Sequence, residues 1–225
     1  MHCLKDFIAG FRGFQDSYFT SEKSLYSSLR EGQNPKALVV ACSDSRADPA
    51  LVLGCKPGDI FVVRNVANLV PHREDAAEAD AVRSEERRVG SSDVCSSDLA
   101  YGVMHLGIEH VIVLGHSGCG GIAALLAHEK EETRDLISPW ISLAGRALGR
   151  IRPLLEAGPE SSARRACEQV SLLVSLRNLL SYPWIAQKVG RQELALHAWY
   201  FDLEQGELLG YFPASGGFEP LIVRP

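Results

Sequence analysis

The stretch Ala37-Leu-Val-Val-Ala-Cys-Ser-Asp-Ser-Arg46 begins as an apolar run and ends in polar and charged residues. The apolar part is short, rich in β-branched side chains and bounded by turn residues, which is typical of a buried strand. Two further runs, Ile60–Val63 and Val111–Leu114, have the same character. Because these runs are apolar throughout, they predict parallel strands that are covered on both faces.

Helical patterns lie before and between these strands. Residues Phe7 to Phe19 and Ser21 to Leu29 predict an N-terminal helical arm, and Gly120 to His128 predicts a helix after the third strand. The segment Ala163 to Leu180 predicts an amphipathic helix. Its apolar side is expected to carry Ala166, Val170, Leu173, Val174 and Leu176.

Two runs near the C-terminal end, Leu194–Phe201 and Glu207–Phe212, flank Glu204-Gln205-Gly206 and predict a β-hairpin. Strands that alternate with helices indicate an α/β fold with a mostly parallel central sheet flanked by helices. Sites in such folds lie at the carboxyl ends of the strands. We interpret residues 1–225 as one domain, of which residues 1–30 form the helical arm.

Composition and charge narrow the function classes. The chain has 225 residues, of which 46% are hydrophobic and 23% charged, and a net charge of −5. This charge argues against a nucleic-acid partner, which needs a basic surface. No apolar run approaches the roughly 20 residues of a membrane helix, and Lys5, Asp6 and Arg12 interrupt any leader-like segment. We therefore expect a cytoplasmic protein whose six cysteines are reduced and free for metal binding or catalysis.

One segment, Arg83 to Leu99, does not fit its surroundings. It reads RSEERRVGSSDVCSSDL, which is rich in serine and aspartate and has neither a helical nor a strand period. Two interpretations remain open: a surface loop, or a foreign insert that resembles translated sequencing-adapter sequence. Cys95 lies in this segment, so we assign it no role.

The first and third predicted strands are followed by residue types that commonly bind zinc in proteins. The first ends at Cys42, and the third at His116 and Cys119 in the motif HSGCGG. Cysteine and histidine are ligand types that Zn²⁺ prefers, and three protein ligands leave one tetrahedral position open, as in catalytic zinc sites. His116 and Cys119 are close enough in sequence for a turn at Gly118 to direct both at one ion. The sequence therefore predicts a zinc site that joins two strand–helix turns.

Asp44 and Arg46 follow Cys42 closely. The arginine side chain is a rigid cation that can hold a carboxylate with two hydrogen bonds. We expect Arg46 to keep Asp44 ionised, so that Asp44 accepts a hydrogen bond from a zinc-bound hydroxide. Zinc lowers the pKa of bound water to about 7, which provides that nucleophile at neutral pH.

CSDSR followed by HSGCGG resembles the active-site signature of the β-class carbonic anhydrases, and the resemblance covers most of the chain. It implies a zinc-dependent hydration of CO2 to bicarbonate and a proton. The implied ligands are Cys42, His116 and Cys119, with Asp44 and Arg46 as the catalytic pair. It also implies a homodimer or a larger assembly built from dimers.

The same resemblance extends to the substrate pocket of the plant-type members. It places a glutamine at Gln33, nine residues before the first ligand, and a tyrosine at Tyr101. It places a phenylalanine and a valine at Phe61 and Val66, and Gly120 is assigned to the same pocket. Apolar walls suit CO2, and the Gln33 amide can hydrogen-bond one of its oxygens. Core packing is the alternative for the three apolar and aromatic residues.

A bicarbonate-regulated branch of this family carries tryptophan and glycine where this chain has Val39 and Ala41, which indicates the non-allosteric branch. Two alternatives to carbonic anhydrase remain. One is a related zinc hydrolase that acts on a CO2 analogue such as carbon disulfide. The other is a non-catalytic zinc-stabilised binding or oligomerisation domain, which would not require Asp44 and Arg46.

Overall fold

The computed structural model describes residues 4–73, 91–128, 137–145, 147–149, 153 and 159–222. The chain divides into two compact units, Met1–Asn34 and Pro35–Pro225. The boundary lies close to the end predicted for the helical arm. Each unit is described separately below.

The N-terminal unit consists of helix α1, a π-helical segment and helix α2, as the arm prediction requires. Rings of Tyr18, Phe19 and Tyr26 lie 5.8 to 6.2 Å from the ring of Phe14, centroid to centroid, and form a small aromatic cluster. Helix α1 contributes no buried residue. The segments are α1 Leu4–Gly13, the π-helical Phe14–Phe19 and α2 Lys23–Leu29.

The larger unit is built on a six-stranded sheet in the order β2-β1-β3-β4-β5-β6. Strands β1 to β4 are mutually parallel, and β5 and β6 are added antiparallel. The three predicted parallel strands and the hairpin are confirmed, whereas β6 was not predicted. The expected burial on both faces is wrong for β2, which is an edge strand in which Val63 alone is buried. The strands are β1 Ala37–Cys42, β2 Ile60–Asn65, β3 His110–His116, β4 Ala195–Asp202, β5 Glu207–Phe212 and β6 Gly217–Pro220.

Strand β1 lies between β2 and β3, and this position explains its sequence. Leu38 to Ala41 are fully buried, as is typical of a central parallel strand that is covered on both faces. In the parallel register, Ala41 is opposite Leu114 on β3. Cys42 and His116, the last residues of β1 and β3, therefore lie at the same edge of the sheet.

Helices flank the sheet and confirm the predicted mostly parallel α/β fold. Short 3₁₀ turns occupy Ser45–Ala47, Val66–Asn68 and Ser142–Ala144, and a π-helical segment covers Tyr101–His105. No helix within the described ranges is long and apolar enough to cross a membrane. The helices are α3 Pro49–Leu53, α4 Ser91–Ala100, α5 Gly120–His128, α6 Ser138–Ile141, α7 Glu160–Leu179 and α8 Pro183–Gly190.

Helix α7 and its apolar side were predicted correctly. All five expected residues belong to or pack against the core clusters, although only Val174 among them is buried. The buried side of α7 also carries polar residues, which hydrogen-bond neighbouring backbone. Asn178 donates to the carbonyl of Val70 at 2.8 Å, and Ser175 accepts from the Val70 amide at 3.3 Å. A hydrophobic pattern cannot identify such residues as buried.

The segment predicted to be a surface loop or a foreign insert lies partly outside the described residues. Its last part, within α4, is helical, so a surface loop is wrong there. Cys95 and Leu99, one turn apart, are 3% and 0% exposed and belong to the main core cluster. The foreign origin of residues 83–99 stays a prediction.

Candidate metal centre

The turn after β1 carries Cys42 and is held by one arginine. Cys42 is 5% exposed. The Arg64 side chain donates to the carbonyl oxygens of Cys42 at 3.0 Å and of Asp44 at 2.9 Å. Arg64 also pairs with Asp48 at 2.7 Å, and Asp48 caps the start of α3. The backbone on both sides of Ser43 is therefore fixed by a side chain from the neighbouring strand.

The turn after β3 carries the other two predicted ligands. The Ser117 amide donates to the carbonyl of Phe201 at 2.9 Å, and the Ser117 hydroxyl accepts from the Leu203 amide at 2.8 Å. Gly118 has φ 69°, a left-handed conformation that favours glycine. This bend brings Cys119 to the same side as His116, and α5 starts one residue later.

Cys42, His116 and Cys119 converge in the interior. Their ligand atoms all lie within 4.8 Å of one another, and all three residues are buried. The two Sγ atoms are 4.0 Å apart. Within the part of the chain that the structure describes, this is the one such group of three or more potential ligands.

The histidine has the tautomer that zinc requires. Its Nδ1 lies 2.9 Å from the carbonyl oxygen of Ser117, so Nδ1 carries the proton and donates it. In the neutral ring, which is the form that binds a metal, Nε2 therefore keeps a lone pair. That atom is buried and has no nitrogen or oxygen hydrogen-bond partner among the described residues. A buried lone pair beside two thiol sulfurs fits a borderline-soft ion such as Zn²⁺.

The pKa values of the two thiols are shifted in opposite directions. The Cys119 thiol, followed by His116 and the amides of Asp44 and Ala67, lowers the pKa of Cys42 against the opposing effect of burial. The pKa of Cys119 is raised, first by Cys42 and then by burial, while the amides of Gly121 and Ile122 oppose the shift. A divalent cation between the sulfurs replaces the protons and allows both to be thiolates.

A third turn, Val66–Asn68, packs against the converging cysteines and was not predicted from the sequence. Ala67 and Asn68 have φ values of 64° and 49°, which are unusual for residues other than glycine. The Asn65 side chain stabilises the turn because it bonds both the amide and the carbonyl of Leu69, at 2.8 and 2.9 Å. The turn directs the Ala67 amide at the Cys42 sulfur. Ala67 carries no sequence signal for such a conformation.

Asp44 and Arg46 form the expected pair. Nε and Nη2 of Arg46 donate to the two carboxylate oxygens at 3.0 and 2.7 Å, and the Arg46 amide adds a third bond at 2.9 Å. Nη2 also donates to the Gly118 carbonyl at 3.1 Å. The hydrogen bonds from the Arg46 side chain, with a smaller effect from the Arg46 amide, hold the pKa of Asp44 well below its ordinary value. One carboxylate oxygen lies 3.9 Å from Nε2 of His116, so the ionised group faces the centre.

The predicted pocket residues are brought together in part. The rings of Phe61 and Tyr101 lie 5.9 Å apart, centroid to centroid. Val66 lies beside the start of α5, where it is 39% exposed, and Tyr101 is 51% exposed. Gln33 falls in the N-terminal unit, so its place in the pocket stays a prediction. Gly120 is exposed beside Cys119.

The two glycines after Cys119 differ in the space around them. A Cβ atom on Gly121 would lie 2.9 Å from side-chain carbons of both Val66 and Ala67, whereas one on Gly120 would meet nothing within 4 Å. A close approach to neighbouring side chains therefore requires glycine at position 121 but not at position 120. The start of α5 thus packs directly on the Val66–Asn68 turn.

This difference predicts unequal effects of alanine. Gly121→Ala forces the Val66–Asn68 turn away from α5 and should lower the free energy of unfolding by about 1 to 3 kcal/mol. Gly120→Ala, the matched control, should change it by less than about 0.5 kcal/mol. Chemical denaturation of both variants measures the difference, and equal stabilities would contradict the close contact.

Comparison with known proteins identifies a family. The family model described as carbonic anhydrase matches residues 37–208. A carbonic anhydrase of Helicobacter pylori is 32% identical over 214 residues, which cover 92% of this chain and 90% of that protein. β carbonic anhydrase 3 of Arabidopsis thaliana is 33% identical over 201 residues, 88% of this chain and 72% of that protein.

A further Arabidopsis thaliana relative, the chloroplastic β carbonic anhydrase 5, is 36% identical over 193 residues, 85% of this chain. The chain spans 59% of the length of that protein. Among solved structures, the β-carbonic anhydrase CcaA superposes with a TM-score of 0.84 and 28% identity, covering 98% of this chain and 93% of that one. The β-carbonic anhydrase of Coccomyxa, at 24% identity and a TM-score of 0.75, shares the fold over 92% of this chain and 86% of that one.

Proposed function

The chain belongs to the β class of the carbonic anhydrase family, and from this premise we propose that it catalyses the reversible hydration of CO2 to bicarbonate and a proton. Zinc is the cofactor, and Cys42, His116 and Cys119 are its proposed ligands. The observation that carries the proposal is the buried convergence of these three side chains within 4.8 Å. Three protein ligands leave a position for solvent, as catalytic zinc sites require.

Zinc, when bound, supplies a Lewis acid that makes water acidic enough to react near neutral pH. The protein contributes the orientation of that water. Asp44 stays ionised because Arg46 holds both of its oxygens, and one of them faces His116 at 3.9 Å. A carboxylate in this state is an acceptor only. It can therefore accept a hydrogen bond from the reacting water and direct the water's lone pair toward CO2.

For the substrate pocket, we propose a wall formed by Phe61, Val66 and Tyr101, with Gly120 beside it and Gln33 as hydrogen-bond donor. The exposure of Val66 and Tyr101 argues against the core-packing alternative for these two residues. The contact between the rings of Phe61 and Tyr101 provides an apolar surface of the kind that suits CO2.

Stopped-flow CO2 hydration, measured beside zinc content, tests the function. The purified protein should contain one zinc ion per chain, lose hydration on chelation and recover it when zinc is restored. Stoichiometric zinc without hydration would contradict the proposal. In that case, release of sulfide from carbon disulfide would indicate the related hydrolase, and its absence would indicate a zinc-stabilised binding domain.

We also propose that the protein assembles as a homodimer or a multiple of it, with the arm covering a second copy. Leu4 lies three and four residues before Phe7 and Ile8, and Phe11 lies four and three residues after them, so the four side chains share one face of α1. All four are more than half exposed. An apolar row of this kind on a surface helix is typical of an association surface.

Charges on this face should prevent assembly. The double variant Phe7→Glu, Phe11→Glu should shift the mass measured by light scattering from the oligomer to a smaller species, because carboxylates cannot be buried unpaired in an interface. Ala9→Glu, on the opposite and also exposed side of α1, is the matched control. An unchanged mass for the double variant would exclude the arm from the interface.

The proposed location is the cytoplasm. All five cysteines in the described part of the chain are free thiols. Two of them are proposed zinc ligands, which must stay reduced to bind the ion. A reducing compartment meets this requirement.

A further inference from the structure

Glu168 is a charged residue buried in the middle of α7. It is 4% exposed, and a buried carboxylate is costly unless hydrogen bonds and an opposite charge compensate it. Oε1 accepts from the Cys119 amide at 3.0 Å, and Oε2 accepts from the Tyr200 hydroxyl at 2.7 Å. Nε of Arg164 lies 3.3 Å from Oε1. One of the compensating donors is therefore the backbone of a proposed zinc ligand.

Arg164 contacts the carbonyl side of Cys119. Its Nη2 donates to the Cys119 carbonyl at 3.1 Å. Its Nε is at ion-pair distance from Glu168 but is not aligned for a hydrogen bond. Glu168 and Arg164 are one turn apart on α7, so a single helix face holds both the amide and the carbonyl of Cys119.

The Cys119 backbone needs such an anchor because of the residue before it. Gly118 has φ 69° and no side chain, and glycine opposes rotation of the adjoining peptide less than any other residue. The bonds of Ser117 fix the turn upstream of Gly118. Downstream, the Cys119 amide bonds to Glu168. The direction of the Cys119 side chain follows from this bond.

We propose that Glu168 is a positioning residue for the metal centre. Its hydrogen bond to the Cys119 amide fixes Sγ of Cys119 where this sulfur, Cys42 and His116 bind one zinc ion. The inference rests on the proposed zinc site and goes beyond it, because Glu168 is not one of the three converging side chains and acts through the Cys119 backbone. Partners that orient ligands in this way typically change metal affinity by about 10- to 100-fold when removed.

The other oxygen of Glu168 offers a control. Tyr200 is fully buried, and its hydroxyl bonds only to Oε2 among the contacts described for it. Burial, followed by the bond to Glu168, raises the pKa of Tyr200, so the hydroxyl remains a donor. Tyr200→Phe removes this bond and leaves the bond to Cys119 in place. If Glu168 only stabilised the fold, loss of its bond to Tyr200 and loss of its bond to Cys119 should affect zinc affinity equally. If Glu168 positions Cys119, only the loss of the bond to Cys119 should weaken zinc binding.

The test is the zinc dissociation constant of the full-length, metal-free protein, measured by competition with a chromophoric chelator. Glu168→Ala should weaken binding by about 10- to 100-fold. Glu168→Gln should stay within about threefold of the wild type, because its amide oxygen can still accept from Cys119 and its NH2 group can donate to Tyr200. Tyr200→Phe should also stay within about threefold, even though it lowers the melting temperature. The cobalt-substituted Glu168→Ala protein should show altered visible bands, because one sulfur has moved.

Glu168→Asp replaces Glu168→Ala in this test if the alanine variant does not fold. It keeps the charge but is one methylene shorter, so it cannot reach both Cys119 and Tyr200, and we expect about tenfold weaker binding. Wild-type affinity in Glu168→Ala or Glu168→Asp would overturn the inference. So would equal losses in Tyr200→Phe and Glu168→Ala, or a glutamine variant as weak as the alanine variant. A wild-type protein that binds no zinc would instead overturn the proposed site.

Discussion

Replacing Arg46 with alanine is expected to lower the turnover of CO2 hydration by on the order of 100-fold while zinc stays bound. The substitution removes both side-chain bonds that hold the Asp44 carboxylate. Asp44 is then free to turn toward Nε2 of His116, which lies 3.9 Å from its nearer oxygen. A carboxylate at that place competes with water for the metal. Stopped-flow kinetics and zinc analysis of the same preparation measure the effect.

Two substitutions make this result specific. Arg46→Lys keeps the charge but not the planar pair of donors, so it should recover only part of the loss. Lys36→Ala is the control. It removes the solvent-exposed ion pair between Lys36 and Glu109, which at 2.6 Å is about as short as the pair between Arg46 and Asp44. Such pairs contribute little, and we expect unchanged hydration. Near-normal turnover in Arg46→Ala would rule out the role assigned to Asp44 and Arg46.

Replacing Cys42 with serine should remove both zinc and activity. A serine hydroxyl is not deprotonated at neutral pH and is a poor zinc ligand, so we expect zinc affinity to fall on the order of 1000-fold. Hydration should fall to the uncatalysed rate. Because bound metal stabilises the folded state, the variant should melt at the temperature of chelated wild-type protein.

Cys55→Ser is the matched control for this substitution. Cys55 is a free, half-buried thiol outside the metal centre. Its replacement should leave zinc content, hydration and melting temperature close to those of the wild type. Stoichiometric zinc in Cys42→Ser with wild-type hydration would remove Cys42 from the ligand set.

The sheet was predictable because its strands are specified locally. Runs such as Leu38 to Ala41 are short, apolar at every position and bounded by turn residues, which is typical of a strand covered on both faces. The meeting of two proposed ligands was predictable for the same reason. Cys42 and His116 end neighbouring parallel strands, so the topology brings them to one edge of the sheet.

Features that depend on tertiary hydrogen bonds were not predictable. Glu168 is one acidic residue in a helix with many charges, and its burial follows from a turn 49 residues away in sequence. The left-handed Ala67 is likewise imposed by its surroundings, since alanine has no preference for that conformation. Helix α4 was missed because its polar residues obscure the burial of Cys95 and Leu99.

X-ray absorption at the zinc edge tests the metal centre most directly. The wild-type protein should show two sulfur donors at about 2.3 Å, with nitrogen or oxygen donors at about 2.0 to 2.1 Å completing four-coordination. These donors should include one imidazole, contributed by His116. A site with no sulfur, or with four sulfurs that leave no place for water, would contradict the convergence of Cys42, His116 and Cys119 on a catalytic zinc ion.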